Sequence, residues 1–177
     1  VNILAHNLQV VFTSPRLLAI TVRCGSLVFD CCVGHVPHSR SPADEQGKWW
    51  KDFCTVTAQM NARAPKRCRF WLLDANAQVG SMVSKAISGH DPSNECENGF
   101  RFHLELLRQG MFLPATSAQI HHGSSITWQG PNSQGKRIDY VAFPCMLQNL
   151  VQTLWVEDLV ELITNAKDHA PVALQFM

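Results

Sequence analysis

Five polar positions in this sequence share one setting: an apolar, strand-like run that stops at a residue able to do chemistry. They are His35 in "GHVPH", Asp74 and Asn76 in "LLDANA", Asp139 in "RIDY", and the adjacent pair Asp168 and His169 in "KDHAPV". A strand end at a sheet rim is ordered yet reachable by solvent, which is where an α/β fold places its sites. The residue types form a coherent set. Carboxylates hold Mg²⁺, an asparagine amide donates to a phosphate or positions a nucleophile, and a histidine beside an aspartate holds or moves a proton. Such a set suits hydrolysis of a phosphodiester, where the work is positioning, charge neutralisation and activation of water. Each position also has a plainer reading. Asp74 and Asn76 suit a turn or cap, Asp168 and His169 a loop ion pair, and His35 a satisfied core histidine. Asp139 is harder to explain away, because an acid in an apolar strand must find a partner.

The elements that would position these residues follow from hydrophobic pattern and punctuation. Leu8 to Phe12, Arg16 to Arg23 and Leu27 to Val33 read as strands, the first two split by Thr13-Ser14-Pro15 and the last two by Gly25-Ser26. A helix is expected from Ser41, with Ser41 as cap, Pro42 in the first turn and Asp44 and Glu45 at the positive end of the dipole. Trp49, Phe53, Val56 and Met60 share its inner face, and it should stop before Pro65. "RFWLL" reads as a buried strand. Residues 83 to 98 read as a loop, and Gly99 to Gln109 as a second helix with Phe102 and Leu106 inward and Gly110 as its stop. A short strand near Phe112, a loop carrying His121 and His122, and strands at Ser125 to Gln129, "RIDYVAF", Leu150 to Val156 and Val172 to Phe176 complete the pattern. Helices among strands, with hairpin signals at both ends, predict a layered α/β sandwich forming a single domain over residues 1–177.

Composition narrows the function classes. The chain has 177 residues, 46% hydrophobic and 16% charged, with a formal net charge of +1, so no global field draws it to nucleic acid. Arg63, Lys66, Arg67 and Arg69 make a basic run that reads as a solvated loop rather than a contact to a DNA backbone. Trp49, Trp50 and Phe53 read as core rather than as a base-stacking platform. The seven cysteines are odd in number and contain no C-x-x-C, which argues against a disulfide framework or a zinc knuckle and for reduced thiols inside a cell, in nucleus or cytoplasm. Cys31, Cys32 and Cys54 read as small buried hydrophobes. No run approaches the roughly 20 apolar residues that span a bilayer, so no membrane is expected as partner.

The motifs, taken together, resemble the endonuclease/exonuclease/phosphatase superfamily, whose members include deoxyribonuclease I, abasic-site endonucleases, inositol polyphosphate phosphatases and retrotransposon endonucleases. "LLDANA" resembles the G-D-x-N motif, "ITWQG…GKRIDYVAF" the T-W…R-I-D-Y motif, and "KDHAPVAL" the terminal S-D-H-x-P-V. "NGFRFHLELLRQGMFLPATS" is similar to the helix-to-strand segment between them, and "GHVPHS" to the short motif that carries a His in deoxyribonuclease I-like members. The resemblance covers most of the chain in the family's order. Its wording is nearest to retroelement-type endonucleases, which sit ahead of a reverse transcriptase.

That resemblance implies a four-layered α/β sandwich and a Mg²⁺- or Mn²⁺-dependent endonuclease acting on DNA. It implies that Asp74 orients or deprotonates the attacking water, with Asn76 holding water and phosphate. His169 would contact the scissile phosphate, Asp139 would fix its tautomer, Asp168 would serve the metal, and His35 would be a second phosphate-facing acid or base. Thr127 and Trp128 would buttress the rim, and Arg137 and Tyr140 would be structural. Two departures stand out. Leu73 replaces the usual Gly before Asp74 and is expected to crowd the backbone there. No Q-E-like motif precedes His35 and the sequence begins at Val1, so the resemblance implies a fold incomplete at its N-terminus, entered after a strand carrying an Asn and another ending in a metal-binding Glu, and part of a larger polyprotein or longer product. On that expectation the 177-residue chain binds Mg²⁺ poorly and is inactive alone. Two other functions fit the residues: a non-catalytic remnant acting as an interaction module, and a phosphatase or phosphodiesterase acting on a lipid or inositol phosphate.

Overall fold

The structure is a computed structural model that describes residues 7–130, 134–157 and 169–177. Its first strands, β1 (Leu8–Ser14), β2 (Leu17–Cys24) and β3 (Leu27–His35), form an antiparallel meander. Helix α1 (Ala43–Arg63) crosses over to β4 (Cys68–Asp74), which pairs with β3 in parallel. Helix α2 (Glu97–Gln109) leads to the two-residue β5 (Met111–Phe112). Beyond it come β6 (His121–His122), β7 (Asp139–Pro144), β8 (Val151–Val156) and β9 (Val172–Phe176). Strands β1-β2-β3-β4-β7-β5 make a six-stranded sheet, and β6-β8-β9 a smaller one.

The period-2 alternation of a strand assigns the layers. Along β4, Arg69, Trp71 and Leu73 turn to one face and are buried, while Phe70, Leu72 and Asp74 turn to the other. The first face receives the helices. Phe53 of α1 stacks edge-on to Trp71 at 5.0 Å, and Phe102 of α2 lies 6.5 Å from Trp71. The second face receives the small sheet, where Phe176 of β9 meets Phe70 at 5.5 Å and Phe143 at 5.3 Å. The described residues thus show a helix layer and two sheets; a second helix layer outside the small sheet is not among them.

The helices hold to the sheet by their apolar stripes and by a few buried polar pairs. Trp49, Trp50, Phe53, Val56 and Met60 are buried on α1, as are Phe102 and Leu106 on α2. Thr57 donates to Glu105 Oε1 at 2.9 Å, and Trp50 Nε1 donates to Asn98 Oδ1 at 3.1 Å, so the two helices satisfy each other's buried polar atoms. Gly110 ends α2 at φ 64°, a left-handed cap that a side chain would disfavour.

Several local expectations give way. Ser41 makes no cap; Pro42 occupies that position, its carbonyl accepting the first helical N–H from Gln46. Residues 125–129 form no strand, only isolated bridges through Trp128, because Trp128 pairs with Lys136 and His169 rather than extending a ladder. His121 and His122 form a strand instead of a loop, with His121 buried and its Nε2 against Ser124 O at 3.1 Å. The basic run is solvated at Arg63 and Lys66 but not at Arg67 and Arg69. Arg67 pairs with buried Asp30 at 2.9 Å, and buried Arg69 donates to Ala64 O at 2.6 Å. Both lie at the start of β4, a full strand away from Asp74, about 20 Å at about 3.3 Å per residue.

All seven cysteines are free thiols. Cys31 and Cys32 are buried, and burial pushes their pKa values up to about 11 and about 12, which makes them inert fillers. Cys54, only partly buried, is pushed up to about 12 by desolvation and by Glu105. Among the described residues no helix is long and apolar enough to cross a membrane.

Phe53 has no exposed surface and sits where α1 meets the sheet, between Trp49 and Trp71. Phe53→Ala is expected to cost about 3 to 5 kcal/mol of unfolding free energy, read as a lowered urea midpoint with an unchanged slope.

Candidate active site

Three strand ends meet at one rim because of register. His35 is the partner of Asp74 across the β3–β4 ladder, and Asp74 is the partner of Asp139 across the β4–β7 ladder. Partners in register point to the same face, so all three side chains turn to the face that carries the small sheet. His169 arrives from that second layer, just before β9, and its Nδ1 lies 3.0 Å from Asp139 Oδ2. One ligand atom from each of Asp74, Asp139 and His169 can be chosen so that all lie within 4.8 Å of one another. The cleft between the layers has a volume of about 320 Å³ and is lined by Asp74, Asp139 and His169 together with the apolar Leu72, Val141 and Val172.

Each donor is oriented by something else. Asp74 Oδ1 accepts the Asn76 N–H at 3.1 Å, closing a turn in which Asn76 adopts φ 43°, a conformation asparagine tolerates better than most residues. Asn76 Nδ2 donates to Val36 O at 2.8 Å, which ties the turn after β4 to the end of β3. His35 Nε2 lies 3.4 Å from Asp74 Oδ2. Its Nδ1 lies 3.2 Å from Arg16 Nη1. A guanidinium has no acceptor, so Nδ1 accepts and the neutral ring carries its proton on Nε2, facing Asp74. Arg16 is itself held by Glu45 at 3.3 Å, and its carbonyl accepts the His35 N–H at 2.9 Å.

Thr127 is the pin between the layers. Its buried hydroxyl accepts the Ile138 and Asp139 N–H groups, both at 3.0 Å. Its carbonyl accepts the Ala170 N–H at 2.8 Å, and Trp128 bridges to His169. Burial raises the Asp139 carboxyl above its ordinary pKa. A hydrogen bond from Thr127 and the charge of His169 pull it back, and the neighbouring Asp74 pushes it up again. Two carboxylates beside an imidazole, one of them reluctant to ionise, are a donor set that a hard divalent cation fits.

Arg137 and Tyr140 lie behind the rim. Arg137 is buried and donates to Ala115 O, His90 O and Asp91 O at 2.7, 3.1 and 3.0 Å, knitting three loops together. The buried Tyr140 hydroxyl lies 3.0 Å from Ala77 O and 2.8 Å from Arg137 O. Leu73 does not crowd Asp74. Its side chain points to the helix face, and Gly34 across the ladder makes room: a Cβ there would sit 2.9 Å from Leu73 Cδ2 and from Trp49 Cζ2.

No family model matches the sequence and no curated protein matches it. Solved structures do. The chain is similar to the 3'-5' exonuclease NExo from Neisseria meningitidis, with TM-score 0.68 and 19% identity over 95% of this chain and 70% of that one. It is similar to the endonuclease domain of TRAS1, a telomere-specific non-LTR retrotransposon, with TM-score 0.62 and 16% identity over 97% and 69%. It is also similar to the AP endonuclease LMAP from Leishmania major, with TM-score 0.58 and 15% identity over 90% and 54%. The chain has the deoxyribonuclease I-like fold.

Within the deoxyribonuclease I-like fold, the structure brings Asp74, Asp139, His169 and His35 to one rim, with Asn76 turned toward the backbone of Val36 rather than into the cleft. Asp168 lies outside the described residues. Arg16 went unmarked by sequence reasoning. It sits in the turn between β1 and β2, with nothing in its neighbours to signal that its guanidinium reaches a histidine 19 positions on.

Thr127→Val removes the acceptor of two buried N–H groups and is expected to cost about 1 to 3 kcal/mol. It should also raise the Asp139 pKa further, since the Thr127 hydrogen bond lowers it; carboxyl-carbon NMR against pH reads both the wild-type elevation and the increment, with Thr127→Ser as control. The sign for stability follows. The folded carboxyl keeps its proton to higher pH than the unfolded one, so this residue's contribution falls as pH rises from the ordinary aspartate value through the raised one. For His35, nitrogen NMR of the neutral ring should show the proton on Nε2, a preference reduced in Arg16→Met.

Proposed function

We propose that this chain belongs to the endonuclease/exonuclease/phosphatase superfamily and that its reaction is divalent-metal-dependent hydrolysis of phosphodiester bonds in DNA. The observation that carries this is the rim itself: His35, Asp74 and Asp139 in adjacent register, met by His169 on Asp139. Asp74 and Asp139 would hold Mg²⁺ or Mn²⁺, which when bound neutralises phosphate charge and acidifies a water. Asp74, with one oxygen committed to the Asn76 N–H, takes the proton of the attacking water through the other. Asp139 accepts from His169 Nδ1–H and so orients the ring with Nε2 toward the phosphate; Nε2 accepts a proton when the ring is neutral and donates to a phosphoryl oxygen when it is protonated. His35 Nε2–H donates from the opposite side of Asp74. Asn76 acts by holding the turn that aims Asp74. Asp168 remains assigned to the metal. Thr127, Trp128, Arg137 and Tyr140 keep the two sheets in register behind these groups.

DNA is the favoured partner because the similar structures include an exonuclease, a retrotransposon endonuclease and an AP endonuclease, and a 3' phosphatase bound to a product DNA hairpin. The last makes a 3'-phosphate end a substrate to test beside an internal phosphodiester. Residues 1–177 are read as a single domain of an intracellular protein, in keeping with its free thiols. The described rim offers a cation two carboxylates, one of them tied to His169, so the 177-residue chain alone is expected to bind Mg²⁺ weakly and to nick DNA below detection.

Added Mn²⁺ should broaden the NMR signals of Asp74, Asp139 and His169 before any others, in the millimolar range, and Asp74→Asn should abolish the effect. A longer product containing this chain should nick supercoiled plasmid and lose at least about 100-fold in rate with His169→Ala. Broadening elsewhere, with no nicking by the longer product, would leave an interaction module in place of an enzyme. Metal-dependent nicking by the 177-residue chain, lost in Asp74→Ala, would overturn its inactivity while supporting the chemistry; activity confined to inositol or lipid phosphates would replace the substrate.

A further inference from the structure

Away from the rim, the segment between β4 and α2 holds a second set of reactive side chains in relay. Ser84 Oγ lies 2.7 Å from His103 Nε2, and His103 Nδ1 lies 3.0 Å from Glu95 Oε1. The histidine and the carboxylate are almost fully buried, with side chains 7% and 6% exposed, whereas Ser84 is only partly buried. A carboxylate only accepts, so the neutral ring carries its proton on Nδ1 toward Glu95, and Nε2 is left as the acceptor of the Ser84 hydroxyl. That is the arrangement of nucleophile, base and orienting acid that activates a serine. The remaining environment agrees. The Ala86 N–H donates to Ser84 Oγ at 3.0 Å and would stabilise the alkoxide. The Lys85 N–H, next after the nucleophile, has no acceptor among the described residues and is free to bond a developing oxyanion. Met82 and Val83, 54% and 68% exposed, offer apolar surface immediately before Ser84.

We propose that Ser84, His103 and Glu95 form a nucleophilic site that accepts acyl groups from carboxylic esters with an apolar acyl chain. Ser84 Oγ attacks the ester carbonyl carbon and its proton passes to His103 Nε2. The bond from carbonyl carbon to alcohol oxygen breaks, and His103 returns the proton to the departing alkoxide, leaving an ester on Ser84. Water then attacks that ester through the same base, releasing the carboxylic acid and restoring the Ser84 hydroxyl. Glu95 touches no substrate; it positions the ring. None of the three residues lies at the Asp74–Asp139 rim, so this site stands or falls independently of the nuclease reading.

The test is covalent labelling of the 177-residue chain by an alkyl fluorophosphonate, with the modified serine located by peptide mass spectrometry and turnover followed with a p-nitrophenyl ester. The expected result is labelling of Ser84 at least about 100-fold faster than of the exposed Ser81 and Ser88, with a matching loss of labelling rate in Glu95→Gln and His103→Gln variants whose circular dichroism is unchanged. The comparison among serines within the wild-type chain needs no variant to fold. Ser84 reacting no faster than Ser81 and Ser88, or reacting equally well in a folded His103→Gln chain, would show a packing network only and overturn the proposal. Asp74→Asn should leave the labelling rate unchanged.

Discussion

Two aspartates stand opposite each other on one rung of a β-ladder. Like charges directly across a strand pair repel, and here both side chains are largely withdrawn from solvent, each about one-fifth exposed. The rim is built to relieve that repulsion. His169 bonds Asp139 from the second sheet, Thr127 bonds it from beneath, the Asn76 N–H bonds Asp74, and His35 approaches its other oxygen. What residual repulsion remains favours whatever positive charge enters the cleft, and the same pair of carboxylates that strains the sheet edge is a donor set that a cation fits.

Because the two carboxylates come from one sheet and His169 from another, their geometry depends on how the sheets are fastened. Thr127 and Trp128 do this without belonging to a regular strand. Their backbone bonds reach Lys136 on one side and His169 and Ala170 on the other, and one hydroxyl anchors the start of β7. Behind them the aromatic contacts of Phe70, Phe143 and Phe176 fill the space between the sheets. The close fit of Leu73 against Gly34 does the same on the helix side. Leu73 leaves Asp74 uncrowded because strand alternation turns the two side chains to opposite faces of the sheet.

Much of this was legible from sequence. The apolar runs, Gly110 and the helical spacing of Trp49, Phe53, Val56 and Met60 report local preferences, and local preferences are what hydrophobic periodicity encodes. The residues of the rim were legible as types at strand ends. Most of the errors were cases where a tertiary partner decided the outcome, the Ser41 cap and the expected crowding by Leu73 being local ones. Arg67 and Arg69 look solvated until Asp30 and Ala64 O are brought to them. "ITWQG" looks like a strand until Trp128 is claimed by two different neighbours. His121 looks like loop until β8 supplies a ladder. Arg16 was invisible because its role lies wholly in reaching His35.

By itself, then, the chain's order of residues determined which segments are strands and helices, which faces are apolar, and which acids and histidines end up at strand tips. Those follow from bonds and periodicities only a few residues long. Tertiary structure alone decided register. Whether Asp74 faces Asp139 or a residue beside it turns on a one-residue slip, and such a slip would send the whole set to the opposite face. That choice is made by the packing of two sheets against each other and by a threonine hydroxyl, over separations in the chain that no local pattern records.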